Sequence, residues 1–109
     1  MKSSNPRVTI SEHTLPEGTS HLDIFFESDA ECLITYEVFL SSDNLYDNKI
    51  LSCIRKKDHR KIYLDYEGEI SNDRGFLKIL LKGFYTKKDC LGNQKISIEI
   101  KDSNVILYD

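Results

Sequence analysis

The chain has 109 residues, 39% of them hydrophobic and 30% charged, and a net charge of −3 at pH 7. These values are typical of one globular domain large enough to bury a core without metal or disulfide staples. They exclude a strongly basic protein, so binding to nucleic acid would require a local patch of positive charge. We find no apolar run of the ~18 residues that a membrane span needs and no apolar centre of a signal peptide in MKSSNPRVTI. We therefore expect a cytoplasmic protein without membrane contact.

Three cysteines, Cys32, Cys53 and Cys90, are odd in number and far apart in the chain. Their spacing differs from the paired spacings that hold zinc or perform thiol redox chemistry. We therefore expect reduced thiols, as in most cytoplasmic proteins.

Alternating apolar and polar residues recur along the chain, and alanine occurs once. Both features favour strands over helices. The pattern predicts a single all-β domain over residues 1–109, a small closed or partly open β-barrel of about six to eight mostly antiparallel strands. In chain order the predicted strands are 7–13, 21–27, 31–40, 49–55, 60–70, 75–85, 95–101 and 104–109, with room for one helical turn at 41–48.

The stretch HLDIFFE, residues 21–27, contains two side chains of metal-ligating type, His21 and Asp23. His21 and Asp23 share one face of the strand because they are two residues apart. The loop TLPEGTS predicts a hairpin that brings His13, at the end of the preceding strand, next to them. Two imidazoles and a carboxylate suit Mn²⁺, Zn²⁺ or Fe²⁺. The alternative is a solvated strand face, because the spacing alone is not a specific signature.

A second polar stretch, DHRKIYLDYEGEISNDRG, runs from Asp58 to Gly75 and contains the third histidine, His59. Basic residues flank this histidine in IRKKDHRK, residues 54–61. Such a segment is either a solvated charged loop or a binding site for phosphate groups. The candidate phosphate and nucleic-acid ligands are Arg55, Lys57, Arg60 and Arg74.

Together these motifs resemble the 3′-phosphoesterase domain family of bacterial and archaeal DNA ligase D, and more closely its small stand-alone members. YLDYEG, residues 63–68, is the most specific motif, and all three histidines fall on motif positions. The resemblance covers residues 7–86. The other matching segments are Glu12-His13, His21-Leu22-Asp23 with Glu27, Asp58-His59, Arg74-Gly75 and Gly83-Phe84-Tyr85.

The resemblance implies a β-barrel with an apolar interior and an active-site groove on its outer surface. It implies a divalent metal, typically Mn²⁺, held by His13, His21 and Asp23, and contacts from His59 and Tyr63 to the reacting phosphate. The implied activity is DNA repair: removal of a terminal ribonucleotide or a 3′-phosphate from a DNA end. The product is a 3′-hydroxyl that a separate ligase can join.

One departure from the family pattern concerns phosphate binding, because Phe25 stands where family members carry an arginine. Arginine binds phosphate through two parallel hydrogen bonds, and phenylalanine cannot. Two alternatives follow. One is a catalytically inactive barrel that binds nucleic acid or a repair complex. The other is a metallo-phosphoesterase for a small phosphate ester, which the acidic net charge favours. Asp65 and Glu67 of YLDYEG are expected to orient neighbouring groups.

Overall fold

The computed structural model describes residues 6–38, 50–90 and 95–105, with side chains described within 6–38 and 53–85. The described residues form seven strands and one 3₁₀ helix. The strands are β1 (Arg7–Thr14), β2 (Ser20–Phe26), β3 (Cys32–Val38), β4 (Ile50–Arg60), β5 (Gly68–Ile70), β6 (Gly75–Cys90) and β7 (Lys95–Val105), and the 3₁₀ helix is Lys61–Leu64. None of the helical segments in these ranges is long and apolar enough to cross a bilayer.

All seven strands belong to one antiparallel sheet in the order β1-β2-β3-β4-β7-β6-β5. β1 also pairs with β6 along its length, so the sheet curls back on itself. The β4–β7 pairing is short and covers Ile50 to Ser52 of β4. From Cys53 to Arg60, β4 pairs with β3 alone among the described residues. The fold is therefore an all-β, partly open barrel, which confirms the predicted fold class.

The two faces of β2 pack against different apolar clusters. Leu22, Ile24 and Phe26 lie in the main core, together with the buried face of β1. Phe25 points the other way and lies in a second cluster with side chains of β3, the 3₁₀ helix and β6. The second cluster consists of Phe25, Leu33, Tyr63, Leu64 and Leu77. The alternation of β2 thus places His21 and Asp23 on the side of this smaller cluster.

The predicted strand over 60–70 is wrong. Lys61–Leu64 form the 3₁₀ helix, and Gly68–Ile70 alone pair as a strand. Ile62 is 57% exposed, whereas the consecutive residues Tyr63 and Leu64 are buried. The helix is fixed to β1 because the Thr9 hydroxyl donates a hydrogen bond of 2.7 Å to the Leu64 carbonyl. This tertiary contact outweighs the local alternation that predicted a strand.

Three other predictions differ from the structure or lie outside it. Residues 54–60 continue β4 and are not a loop. The two predicted strands 95–101 and 104–109 are a single strand as far as Val105. The predicted helical turn at 41–48 and residues 106–109 lie outside the described residues. In the described part of the chain, Cys32 and Cys53 are free thiols.

Candidate metal centre and adjoining cavity

The hairpin of β1 and β2 gathers the three predicted metal ligands. His13 and His21 are direct register partners across the two strands, and Asp23 pairs with Ser11. The two imidazole rings meet edge to face with their centroids 4.8 Å apart. One potential ligand atom from each of His13, His21 and Asp23 lies within 4.8 Å of the others. The predicted hairpin is present, and it forms a cluster of the size that a single metal ion spans.

The carboxylate of Asp23 faces both imidazoles. Its Oδ2 is 3.8 Å from His13 Nδ1, and its Oδ1 is 3.3 Å from His21 Nε2. Burial raises the pKa of the Asp23 carboxyl, while positive charge on His21, His13 and His59 opposes the shift. A buried carboxylate is costly unless a cation compensates it, and two neutral imidazoles with a carboxylate are well suited to a divalent cation.

Ser11 provides a further test of whether the cluster fits a metal. Its side chain is fully buried, and it shares the strand face of His13 opposite Asp23. Its hydroxyl is the one buried side-chain polar atom without a hydrogen-bond partner in the described part of the chain. Buried hydroxyls are nearly always paired in native proteins. A water bound to a metal held by His13, His21 and Asp23 would supply such a partner, so these residues fit a divalent ion.

The imidazole of His13 is fixed from the side away from Asp23. Its Nε2 lies 2.6 Å from the backbone carbonyl oxygen of Arg74. A carbonyl oxygen can only accept, so Nε2 carries a proton, and in the neutral imidazole Nδ1 keeps the lone pair. That lone pair is on the atom that faces Asp23. Metal-binding histidines commonly donate their other N–H to a carbonyl in this way.

A cavity of about 440 Å³ adjoins the cluster and is lined by both His13 and Asp23. His59 and Tyr63, the two predicted phosphate-contacting residues, line the same cavity. Its apolar wall comes from the second cluster, chiefly Phe25. This volume is within the range of small-molecule sites. The structure therefore brings four of the five predicted metal and catalytic residues to one cavity, and the fifth, His21, joins them through Asp23.

His59 is held by its Nδ1. This atom lies 2.8 Å from the Lys57 carbonyl oxygen, so Nδ1–H donates and Nε2 remains free to exchange a proton. The ring packs against Phe25 at 5.3 Å and against Tyr63 at 5.6 Å between centroids. Tyr63 in turn stacks on Phe25 at 6.1 Å. Phe25 thus acts as the apolar support on which both predicted catalytic rings rest.

Three of the four predicted phosphate ligands line the cavity: Lys57, Arg60 and Arg74. The Arg60 guanidinium lies 5.9 Å over the Tyr63 ring, which holds the cation beside the opening. Arg74 uses its Nε to donate to the Ser71 carbonyl at 2.9 Å.

Arg55 does not line this cavity. Its guanidinium donates to the carboxylate of Asp58 at 2.6 Å and to the carbonyl of Thr35 at 3.2 Å, and it lies over the ring of Tyr36. These contacts direct Arg55 toward β3, and its role as a phosphate ligand stays a prediction. Its neighbour in sequence, Lys56, pairs with Glu37 at 3.4 Å.

The two acids of YLDYEG contact the scaffold. Asp65 pairs with Lys82 at 2.5 Å and with Arg7 at 3.2 Å. Glu67 accepts the backbone N–H of Ile79 at 2.8 Å. Neither carboxylate lines the cavity beside the metal ligands. Both acids therefore orient neighbouring elements, as the sequence predicts.

No family model matches the chain, and neither the curated proteins nor the solved structures contain a significant match. The function is therefore argued from the geometry of the site. Sequence reasoning missed two contributors to that geometry, Ser11 and the carbonyl of Arg74. Ser11 could have been found because it lies two residues before His13 on the same strand face. A backbone carbonyl, by contrast, leaves no signal in the side-chain sequence.

Proposed function

We propose that this protein is a metal-dependent phosphoesterase of DNA repair that trims the 3′ ends of nucleic acid with Mn²⁺ as its cofactor. Its substrates are DNA ends that carry a 3′-phosphate or a terminal ribonucleotide, and a separate ligase joins the resulting end. The observation that carries the proposal is the shared cavity. Two of the three candidate metal ligands, His13 and Asp23, line the same cavity as His59 and a group of three cations.

The residues of this cavity have complementary roles in the proposed reaction. His13, His21 and Asp23 would hold the divalent ion, which would supply a Lewis acid for the phosphoryl group. Lys57 and Arg60 bind the non-bridging phosphate oxygens through charge-assisted hydrogen bonds. Water attacks the phosphorus and gives up a proton to solvent as the bond to the departing oxygen breaks. His59 delivers a proton from Nε2 to that oxygen, or stabilises the charge that develops there. Phe25 excludes water behind the His59 and Tyr63 rings.

A second candidate function is hydrolysis of a small phosphate ester by the same residues. The observation in its favour is that the chain is acidic overall but places cations at the cavity. The chain carries −3 overall, and Lys57, Arg60 and Arg74 are the cations that line the cavity in the described residues. Affinity for long nucleic acid depends on the number of phosphates neutralised, whereas a small ester needs only a local group of cations.

The proposal is tested by incubating the purified protein with Mn²⁺ and a primer–template that ends in a 3′-phosphate, and by resolving the products on a denaturing gel. We expect the wild type to release phosphate and His21→Ala to release none. His59→Asn keeps an amide donor near the position of Nδ1, so the Lys57 contact survives while Nε2 is lost. We expect it to bind Mn²⁺ normally and to turn over about 10²- to 10⁴-fold more slowly.

Lys57→Ala and Lys56→Ala form a matched pair, since both remove one lysine from β4 and Lys57 alone lines the cavity. We expect only Lys57→Ala to raise KM. Hydrolysis of a small phosphomonoester that exceeds hydrolysis of the DNA end would select the second function. DNA binding that survives His21→Ala without any hydrolysis by the wild type would contradict both and would indicate an inactive binding barrel.

A further inference from the structure

The turn between β5 and β6 contacts the end of β1 next to His13. Ile70 and Gly75 pair across the hairpin, and residues 71–74 form the turn. Asn72 and Asp73 both have positive φ, at 64° and 53°, a conformation that Asn and Asp tolerate better than other side chains. The Arg74 side chain closes the turn through Nε to the Ser71 carbonyl and through its terminal nitrogen to the Ser71 hydroxyl at 3.3 Å. The turn is therefore stabilised by hydrogen bonds between its own residues.

Gly75 allows this turn to approach β1 closely. Its φ is +102°, and a Cβ added there would collide with the backbone oxygen of Thr14 and lie 3.1 Å from Leu15 Cα. Both contacts are backbone atoms, which cannot rotate away as a flexible side chain can. Thr14 directly follows His13, and the Arg74 carbonyl that accepts the hydrogen bond from His13 Nε2–H directly precedes Gly75. The close approach and the hydrogen bond are thus two parts of one contact.

We propose that the Ser71–Arg74 turn, together with Gly75, is a brace that positions His13 for metal binding. The brace holds Nε2 as the protonated nitrogen and presents the Nδ1 lone pair toward Asp23. Arg74 and Gly75 are positioning residues in this account, because they act on the metal through His13. The inference rests on the proposed function only for the presence of a metal, and the orientation of His13 is testable without one.

Gly18 provides a matched control for Gly75. It has the same φ of +102° and lies in the loop between His13 and His21, but a Cβ there would meet nothing within 4 Å. Gly75→Ala and Gly18→Ala therefore share a positive φ that L side chains rarely adopt, and they differ in the collision with Thr14. We expect Gly75→Ala to raise the dissociation constant for Mn²⁺ about 10- to 100-fold, as the loss of an outer hydrogen bond to a metal ligand does. Gly18→Ala should bind Mn²⁺ as the wild type does.

Titration calorimetry with Mn²⁺ measures these affinities, and thermal unfolding in the absence of metal shows whether each variant folds. Equal affinities for the two folded variants would overturn the brace. If Gly75→Ala does not fold, the wild type is used instead. A long-range ¹H–¹⁵N spectrum of its histidine rings, recorded with Zn²⁺ as a diamagnetic probe, shows which nitrogen of His13 is protonated and which binds metal. We expect His13 to be protonated at Nε2 and bound to metal through Nδ1, and metal at Nε2 would contradict the brace.

A wild-type protein that binds no Mn²⁺ or Zn²⁺ would remove the proposed function without deciding the brace. The same spectrum of the metal-free wild type then tests the brace directly. A neutral His13 in the Nε2–H form supports it, and a predominant Nδ1–H form overturns it. The two proposals therefore fail on different measurements.

Discussion

Asp23 is the buried member of the three candidate metal ligands. It is 4% exposed, and its two carboxylate oxygens face the imidazoles of His13 and His21. The cost of burying its charge appears as a raised pKa. A carboxylate that costs folding free energy in the metal-free protein gains a favourable partner when a divalent cation binds. Stability without metal and affinity for metal are therefore coupled at this residue.

The substitution Asp23→Asn tests this coupling. The amide has the same shape but no charge, so we expect the metal-free protein to melt at the same temperature as the wild type or higher. We also expect the rise in melting temperature caused by Mn²⁺ to disappear, because binding stabilises only a protein that holds the ligand. Thermal unfolding with and without Mn²⁺ measures both effects. Asp29→Asn removes an exposed carboxylate and should leave the Mn²⁺ effect intact; a lower metal-free melting temperature for Asp23→Asn would contradict the argument.

At the scale of elements, the alternation of apolar and polar residues predicted strands such as β2. It did not predict the 3₁₀ helix, which depends on tertiary packing. Leu22, Ile24 and Phe26 revealed β2 and therefore the shared face of His21 and Asp23. The 3₁₀ helix was missed because Ile62 and Leu64 continue an alternation that the Thr9–Leu64 hydrogen bond overrides. The same distinction applies to the residues of the candidate metal centre. Side chains on paired strands were predictable, whereas the Arg74 carbonyl became a contact only through the approach of a turn distant in sequence.

The bulge in β6 is another feature that the sequence did not reveal. The register with β1 shifts between Ile10 and Ser11, so that Ile10 pairs with Leu81 and Ser11 with Ile79. A bulge reverses the alternation of side chains along a strand. Leu81 therefore faces the main core, while Leu77 faces the second cluster beside the cavity. The run of apolar residues in GFLKILLKGFY hides this reversal.

Glu67 stabilises the bulge through its bond to the Ile79 N–H. We expect Glu67→Ala to lower the free energy of unfolding by about 1–2 kcal/mol, because it leaves a partly buried donor without its acceptor. Glu67→Gln retains an amide oxygen that can accept the same N–H and should cost less. Urea denaturation of the two variants measures the difference. Equal losses would show that the charge of Glu67, rather than its acceptor oxygen, stabilises the bulge.

Asp65 joins three elements, because it follows the 3₁₀ helix and pairs with Lys82 of β6 and Arg7 of β1. The hydrogen bond from Lys82 is the chief reason that the pKa of Asp65 lies below its ordinary value of 3.8. A lowered folded-state pKa gives a stabilisation that is complete above the unfolded value and is lost as the pH falls below it.

We therefore expect the wild type to lose stability relative to Asp65→Asn as the pH falls below 3.8. At neutral pH the variant should be less stable by under about 1 kcal/mol, because the Asp65 side chain is half exposed and water screens the pairs. Denaturation at several pH values and at two salt concentrations measures this. A constant difference across the acid range would contradict the assigned pKa direction.

At the scale of the whole molecule, an acidic protein places three cations at one cavity. The net charge is −3, while Lys57, Arg60 and Arg74 line the cavity. These three cations line the cavity together with the carboxylates of Asp23 and Asp58. This small number of cations predicts a protein that engages the end of a nucleic acid and not its length, because few phosphates can be neutralised at once.

The salt dependence of binding tests this reasoning. Three cations that neutralise the phosphates of a single strand predict a slope of about −2 in a plot of log K against log salt concentration. Lys57→Ala should reduce the magnitude of the slope by about 0.7, and Lys56→Ala, which removes an equal charge from the same strand, should not change it. Fluorescence anisotropy with an end-labelled, 3′-phosphorylated oligonucleotide and an inactive His59→Asn variant provides the measurement. A slope several times steeper would indicate contact along the strand, beyond its 3′ end.

The direct pairing of His13 with His21 makes the site a reporter of strand register. If β2 slipped by one residue relative to β1, every side chain of β2 would exchange faces, and His21 and Asp23 would enter the main core. The loop from Leu15 to Thr19 prevents such a slip through its two backbone bonds, Leu15 to Thr19 and Gly18 to Leu15. Changes of residue that keep the length of this loop and its two backbone hydrogen bonds therefore preserve the register. The insertion of a single residue there would dismantle the metal ligands without altering any of them.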